Sequence, residues 1–234
     1  VFVNLASVLY LGSLALETIM GVPMVYGVMG LALFAVAYSL YGGLSAVSWT
    51  DVIQVVFLII GGMVTTYLAL NTVSGGEGMW AGLSAIMDAA PDKFAMILDK
   101  SNPEYDNLPG IGVLVGGMWV ANLYYWGFNQ YIIQRTLAAK SLKEAQNGIL
   151  FAAILKIFLP LIVVIPGIAA YVMINDPAIM AGLGEAGQLN MPTSEQADKA
   201  YPWLLQFLPT GFKGLAFAAL AAAIVSSLAS MLNS

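Results

Sequence analysis

The stretch "GILFAAILKIFLPLIVVIPGIAAYVMI" at residues 148–174 decides the fold class of this chain. Its 27 residues contain one charged side chain, Lys156, and two prolines. An α-helix needs about 20 consecutive apolar residues to cross a hydrocarbon core of roughly 30 Å. The stretch is therefore predicted to span a membrane.

The whole chain shares this composition. Of its 234 residues, 60% are hydrophobic and 9% are charged, with a mean hydropathy of +0.84, whereas about a quarter of residues are charged in soluble domains. Apolar runs predict a multi-pass, all-α membrane protein with six transmembrane helices, at approximately 1–20, 24–43, 52–72, 110–133, 148–174 and 212–232.

The composition also excludes several function classes. The sequence has no cysteine and no histidine, which excludes disulfides, thiolate chemistry and histidine-based metal sites. A net charge of −5 argues against a nucleic-acid partner. The spans carry no paired carboxylates, nucleophile–base pair or cofactor loop, so neither an enzyme nor a cofactor is predicted. Both ends lie in apolar sequence, so we expect the chain to be part of a longer protein.

Charge in the connections predicts the orientation. The short connections at 43–51 and 134–147 hold three cations and two carboxylates, whereas the long ones at 73–109 and 175–211 hold three cations and ten carboxylates. By the positive-inside rule the short connections are cytoplasmic and the long acidic ones external. Apolar residues at helical spacing predict short helices lying against the membrane within the external connections.

Lys156 is the one cation predicted well inside a span. Counted from Gly148 at 1.5 Å per residue, its backbone lies about 12 Å into the membrane. A charge at that depth either serves a site and has a partner, or extends its long side chain to the cytoplasmic interface. The sequence leaves both alternatives open.

The segment "NLYYWGFNQYIIQR" at 122–135 combines aromatic rings, amides and a helix-weakening glycine, Gly127. A helix broken near the middle of the membrane is where many transporters bind substrate. Rings beside amides also suit a sugar, whose C–H face stacks on an aromatic while its hydroxyls form hydrogen bonds. The alternative is an aromatic belt at the cytoplasmic interface, which does not account for the deeper Asn122.

The last span contains small residues at four-residue spacing, including Ala223 and Ser227. Such a pattern allows close helix packing. Alternatively, the hydroxyls of Ser226 and Ser227, with the Ala223 carbonyl, supply about three of the oxygens that a hard cation such as sodium requires.

Three stretches together resemble the sodium:solute symporter family. They are "YGGLSAVSWTDVIQ" (41–54), "NLYYWGFNQYIIQRTLAAKSLKEAQ" (122–146) and "FKGLAFAALAAAIVSSLASMLNS" (212–234). The second is most similar to the family's bacterial sodium/galactose branch, which is related to the sodium/glucose cotransporters.

The resemblance implies a leucine-transporter-like bundle of two inverted five-helix repeats. Residues 1–72 would form the last three helices of repeat one, and residues 73–109 an external connection with short interfacial helices. Residues 110–234 would form the first three helices of repeat two, including the external connection 175–211. The remaining ligands would come from helices outside this chain.

The resemblance also implies roles for individual residues. Asn122 and Lys156 would form hydrogen bonds with the sugar, and Tyr125 would stack on it as the inner gate, with Tyr124 and Trp126 flanking the exit path. Sodium would be bound by Ala223, Ser226 and Ser227, and Asp51 would lie on its exit route.

The implied function is sodium-coupled symport of galactose or glucose across the cell (inner) membrane by alternating access, with sodium as the coupling ion. Two alternatives stay open: a symporter of the same family for another solute, such as inositol, proline or sialic acid, and a membrane sensor module on the same fold.

Overall fold

The computed structural model describes residues 2–102, 105, 110–189 and 191–234, and within them not the side chains of 44–46, 186, 194 and 195. Val1 of the first predicted span, and residues 103–104 and 106–109 of the first external connection, lie outside the described residues. Every regular element in the described part is helical. The predicted all-α class is thus confirmed.

The α-helices follow one another with short connections. They are α1 (Phe2–Met20), α2 (Met24–Val73), α3 (Met79–Ala89), α4 (Met118–Gly127), α5 (Gln130–Leu137), α6 (Leu142–Asn175), α7 (Pro177–Gln188), α8 (Ala200–Leu205) and α9 (Thr210–Leu232). Short 3₁₀ turns at Pro91–Phe94 and Ser194–Lys199, and a π-helical turn at Val113–Gly117, lie between them.

Five segments of the described chain are helical, long and apolar enough to cross a membrane. They are Phe2–Met20, Met24–Gly43, Val47–Val73, Leu142–Asn175 and Thr210–Leu232. These correspond to five of the six predicted spans. The short helices predicted in both external connections are also present, as α3, α7 and α8 with their 3₁₀ turns.

The prediction of a connection at 43–51 was wrong in extent. The helical backbone continues through this region, and only Gly43, with φ 55° and ψ −169°, departs from it. Residues 47–51 contain neither glycine nor proline, so a new helix forms directly after the bend. The polar residues Ser48, Thr50 and Asp51 therefore belong to the first turns of the second half of α2 rather than to a loop.

The fourth predicted span, 110–133, is not one continuous helix. A π-helical turn ends at Gly117, α4 runs for 10 residues to Gly127, and α5 begins at Gln130. At 1.5 Å per residue α4 is about 15 Å long, half of a hydrocarbon core. The predicted interruption at Gly127 is confirmed, and the segment consists of separate short helical pieces.

The short helices of the two long connections pack on the C-terminal ends of α2 and α6. Ile86 of α3, Met173 of α6 and Trp203 of α8 are fully buried in one apolar cluster. A Cβ on Gly82 of α3 would lie 2.0 Å from the carbonyl oxygen of Leu70 in α2, so glycine is required for this approach.

The opposite end of the bundle is organised around α9. The C-terminal half of α9 packs against the first half of α2 through a buried cluster of Leu31, Ala35, Val225 and Leu228. This packing brings the serine-rich face of α9 next to the start of the second half of α2, where Asp51 lies.

Candidate functional site

The helix break between α4 and α5 is the first component of the site. The backbone N–H groups of Phe128 and Asn129 both donate to the carbonyl oxygen of Tyr124, at 2.9 and 3.0 Å. Asn129 then adopts an extended backbone, with φ −79° and ψ 107°. Such a break releases backbone groups from the helical pattern and makes them available to a ligand.

Lys156 of α6 lies over the aromatic rings that precede this break. Its Nζ is 4.4 Å from the ring centroid of Trp126 and 5.6 Å from that of Tyr125. The two rings meet edge to face, with centroids 5.2 Å apart and an interplanar angle of 82°. A cation over a ring face is stabilised by about 0.5–1 kcal/mol at exposed sites. The structure thus gives Lys156 an aromatic partner, a kind that the sequence hypotheses did not include.

Asn122 is not joined to this cluster. Its Nδ2 donates to the carbonyl oxygen of Met118, one turn earlier in its own helix, at 2.8 Å, and its side chain is exposed. Tyr124 is also exposed, and no ring contact links it with the Tyr125–Trp126 pair among the described residues. Of the predicted sugar-binding residues, the structure therefore brings together Lys156 and Tyr125, with Trp126 of the predicted exit path.

A cavity of about 530 Å³ lies between α2, α3 and α6, and Lys156 is a residue that it shares with the aromatic pair. Its walls are almost entirely apolar, and the polar groups among its lining residues include Thr66 and Lys156. The Thr66 hydroxyl is already bonded to the carbonyl oxygens of Gly62 and Leu161, at 2.8 and 2.9 Å. Neither Asn122 nor Tyr125 lines this cavity. A space with so few free polar groups does not suit a sugar, whose hydroxyls need partners.

The predicted sodium ligands lie in the C-terminal half of α9. Ser226 is buried, and Ala223 and Ser227 are half-buried. The Ser226 hydroxyl donates to Oδ1 of Asp51. The structure therefore joins the predicted sodium site to the carboxylate predicted for the exit route, although the two come from different elements.

Asp51 also forms an ion pair through its other oxygen. Oδ2 lies 2.5 Å from Nη2 of Arg135 in α5, and the same Nη2 donates to the Ser230 hydroxyl of α9 at 2.5 Å. Next to Arg135, the amide of Gln134 donates to the backbone carbonyl oxygen of Ser230 at 3.1 Å. We call Asp51, Arg135, Ser226 and Ser230 the ion-pair network. It links α2, α5 and α9 at a single point.

Sequence reasoning missed two members of this network. Arg135 was assigned only to membrane orientation, and Ser230 was not assigned a role. One signal was present: Ser230 lies four residues after Ser226 and therefore on the same face of α9. The pairing of Arg135 with Asp51 joins residues that are 84 positions apart, and the pattern of a single sequence does not contain such a contact.

The candidate residues present two kinds of chemical group to a ligand. The carboxylate of Asp51, the hydroxyls of Ser226 and Ser227 and the carbonyl of Ala223 present oxygens, the ligand type of hard cations. The Lys156 ammonium beside two rings presents hydrogen-bond donors and apolar faces, the combination that suits a polyhydroxylated ring.

Comparison with known proteins identifies the family. A model of the sodium:solute symporter family matches residues 1–234. The chain is 68% identical to the sodium/glucose cotransporter of Vibrio parahaemolyticus over 234 residues, which cover all of this chain and 43% of that protein. It is 32% identical to sodium/myo-inositol cotransporter 2 of Homo sapiens over 246 aligned positions, covering all of this chain and 36% of the relative.

A bacterial relative, the uncharacterized symporter YidK of Escherichia coli strain K12, is 33% identical over 97% of this chain and 38% of its own length. The chain thus spans less than half the length of the curated relatives it matches. These relatives are named as symporters or cotransporters, which agrees with the prediction that the chain is not an enzyme. The chain belongs to the sodium:solute symporter family.

Proposed function

We propose that the full-length protein containing this chain couples sodium entry to the uptake of a hexose, galactose or glucose, by alternating access. The observation that carries the proposal is the position of Lys156 over Tyr125 and Trp126 beside a broken helix. The 68% identity to a protein named as a sodium/glucose cotransporter supports the choice of a sugar.

In the proposed sugar site, different residues contact the apolar face and the hydroxyl groups of the sugar. A pyranose offers an apolar C–H face, which stacks on the ring of Tyr125, and equatorial hydroxyls, which accept hydrogen bonds from the three donors of Lys156. Asn122, one turn before Tyr125, adds an amide once its Nδ2 leaves the carbonyl of Met118. In the absence of sugar, the rings hold the ammonium at the site through a contact that is weaker than a charged hydrogen bond.

The sodium half lies on α9. The Ala223 carbonyl and the hydroxyls of Ser226 and Ser227 supply oxygen ligands, and helices outside this chain supply the rest. Because the Ser226 proton points to Asp51, the lone pairs of that hydroxyl face away from the carboxylate and are free to bind a cation. Asp51 is then the next oxygen group on the cytoplasmic side of the ion.

Coupling requires each ligand to raise the affinity for the other. If sodium favours the arrangement in which the sugar site is competent, the sugar must favour sodium binding by the same factor. The proposed sugar site lies on α4 and α6, and the proposed sodium site lies on α9. The binding of either ligand therefore depends on the position of α9 relative to α4 and α6.

The test is uptake of radiolabelled galactose by the full-length protein in proteoliposomes, with an inward sodium gradient and with potassium in its place. We expect accumulation above equilibrium only with sodium. Equal uptake in both conditions would contradict the coupling. Competition by glucose, galactose and myo-inositol against bound galactose then ranks the substrates.

A second candidate substrate is myo-inositol. The human relative named as a myo-inositol cotransporter aligns with all of this chain, and inositol is also a polyhydroxylated six-membered ring. Its identity is about half that of the bacterial sodium/glucose relative, so we rank it second. Stronger displacement of label by myo-inositol than by either hexose would reverse this order.

A further inference from the structure

The ion-pair network shows an internal cation bound next to the proposed sodium site. One nitrogen of Arg135, Nη2, lies 2.5 Å from both Asp51 Oδ2 and the Ser230 hydroxyl. The other carboxylate oxygen of Asp51 accepts the hydrogen bond of Ser226. Asp51 therefore stands between a permanent cation on one side and a proposed sodium ligand on the other.

The bonding of Arg135 leaves the guanidinium exchangeable. An arginine that is locked to a carboxylate uses two parallel N–H groups in a fork, whereas both contacts here use the same nitrogen. The Nε atom is buried and has no partner among the described residues. Arg135 is 35% exposed and Asp51 22% exposed, so the described residues leave part of the pair uncovered.

Two monovalent cations compete for one carboxylate. Asp51 carries one negative charge, and Arg135 already neutralises it. A sodium ion arriving from Ser226 finds this charge compensated and is repelled by the guanidinium, unless Arg135 withdraws. Occupation of Asp51 by sodium and by Arg135 are therefore alternatives.

We infer that Arg135 is a tethered counter-ion that exchanges with sodium at Asp51. When sodium reaches the carboxylate, the Arg135 side chain withdraws from it toward the cytoplasm. Its return displaces the ion and releases it from the protein. The inference rests on the proposed sodium coupling and adds to it a residue that sets how readily sodium leaves.

The experiment compares Arg135→Gln, Arg135→Lys and the wild-type sequence in the full-length protein. Glutamine removes the competing charge and keeps hydrogen-bonding ability, whereas lysine keeps the charge as a single point without the fork geometry. Lys140→Gln is the matched control, because Lys140 is an exposed cation on the connection that follows α5. Two quantities are measured: the sodium concentration that gives half-maximal galactose binding, and the ratio of net uptake to galactose exchange with sodium on both sides.

For Arg135→Gln we expect the half-maximal sodium concentration to fall about two- to fivefold, the effect of removing a partly exposed ion pair that sodium must break. Net uptake should fall more than exchange, because exchange does not require the release of sodium. Arg135→Lys should shift both quantities back toward wild type. Lys140→Gln should change neither.

A purely structural role predicts different results. If Arg135 only holds α5 to α9, Arg135→Gln raises the half-maximal sodium concentration or leaves it unchanged, and binding, uptake and exchange fall together. Either result overturns the inference. Ser230→Ala provides a variant without a charge change: it loosens Arg135 from α9, and a half-maximal sodium concentration that does not move in this variant also counts against the exchange. If the wild-type protein shows no sodium dependence at all, the proposed function has failed rather than the role of Arg135.

Discussion

Replacement of Lys156 by alanine tests the proposed sugar site most directly. In the structure the ammonium lies 4.4 Å from the Trp126 centroid and 5.6 Å from the Tyr125 centroid. In the proposed complex it leaves these faces and donates to sugar hydroxyls. Alanine removes the donor, while the rings that stack on the sugar remain.

The size of the effect follows from the two contacts that are exchanged. A hydrogen bond from a charged group contributes about 1.5–3 kcal/mol, and the cation–π contact given up on binding is worth about 0.5–1 kcal/mol. The difference is about 0.5–2.5 kcal/mol, so the dissociation constant for galactose should rise about 2- to 70-fold. Removing a cation from a span makes membrane insertion easier, so the amount of inserted protein should not fall.

The assay is equilibrium binding of labelled galactose to purified full-length protein at saturating sodium, with insertion measured separately by membrane fractionation. Lys93→Ala is the matched control, because Lys93 also lies over a ring, that of Tyr171 at 4.7 Å, near the C-terminal end of α6. We expect galactose affinity to be unchanged in the control. Unchanged affinity in Lys156→Ala would show that Lys156 only packs against the rings and would remove it from the site.

Two further substitutions test the proposed sodium site and the packing of α3 on α2. Ser226→Ala removes one proposed ligand, so the half-maximal sodium concentration for galactose binding should rise about two- to tenfold. Ser13→Ala is the control, because Ser13 is a buried serine bonded within its own helix at 2.9 Å, and it should leave that concentration unchanged. Equal effects of the two substitutions would argue against Ser226 as a sodium ligand. Gly82→Ala places a Cβ 2.0 Å from the Leu70 carbonyl oxygen and should destabilise the protein by about 1–3 kcal/mol, measured as a lower unfolding temperature in detergent. Gly182→Ala is the control and should not lower the unfolding temperature, because Gly182 has open space around it. A stable Gly82→Ala variant would mean that α3 is free to move away from α2.

The helical framework was predictable because the ability of a segment to insert into a membrane depends on its local composition. In lipid, an apolar run such as 148–174 satisfies the hydrogen-bonding groups of its backbone by forming a helix. The same holds for four other predicted spans. The bend at Gly43 was misplaced into a loop, because polar residues near 51 suggested an end to the helix. Asp51 instead contacts α5 and α9, whereas Thr50 is bonded to Tyr38 and Val47 within α2.

The site was predictable in its members but not in its pairings. Aromatic and amide residues around Gly127, and serines on α9, were visible as unusual chemistry inside apolar sequence. The contacts of Lys156 with Trp126 and of Arg135 with Asp51 depend on how separate helices pack, which residue spacing does not encode. The two sequence hypotheses for Lys156, a site with a partner or extension to the interface, did not consider the attraction of a cation to an aromatic face.

The break at Phe128 and Asn129 divides one predicted span between two sets of neighbours. Before the break, Trp126 is attached to α6 through Lys156; after it, Gln134 and Arg135 are attached to α9, and Arg135 also to α2. The side chains of the two halves therefore have different partners, and the halves are connected by a few backbone torsions. We expect a rotation of the proposed sugar site relative to the proposed sodium site to change these torsions first, so that the joint would couple two ligands that do not touch.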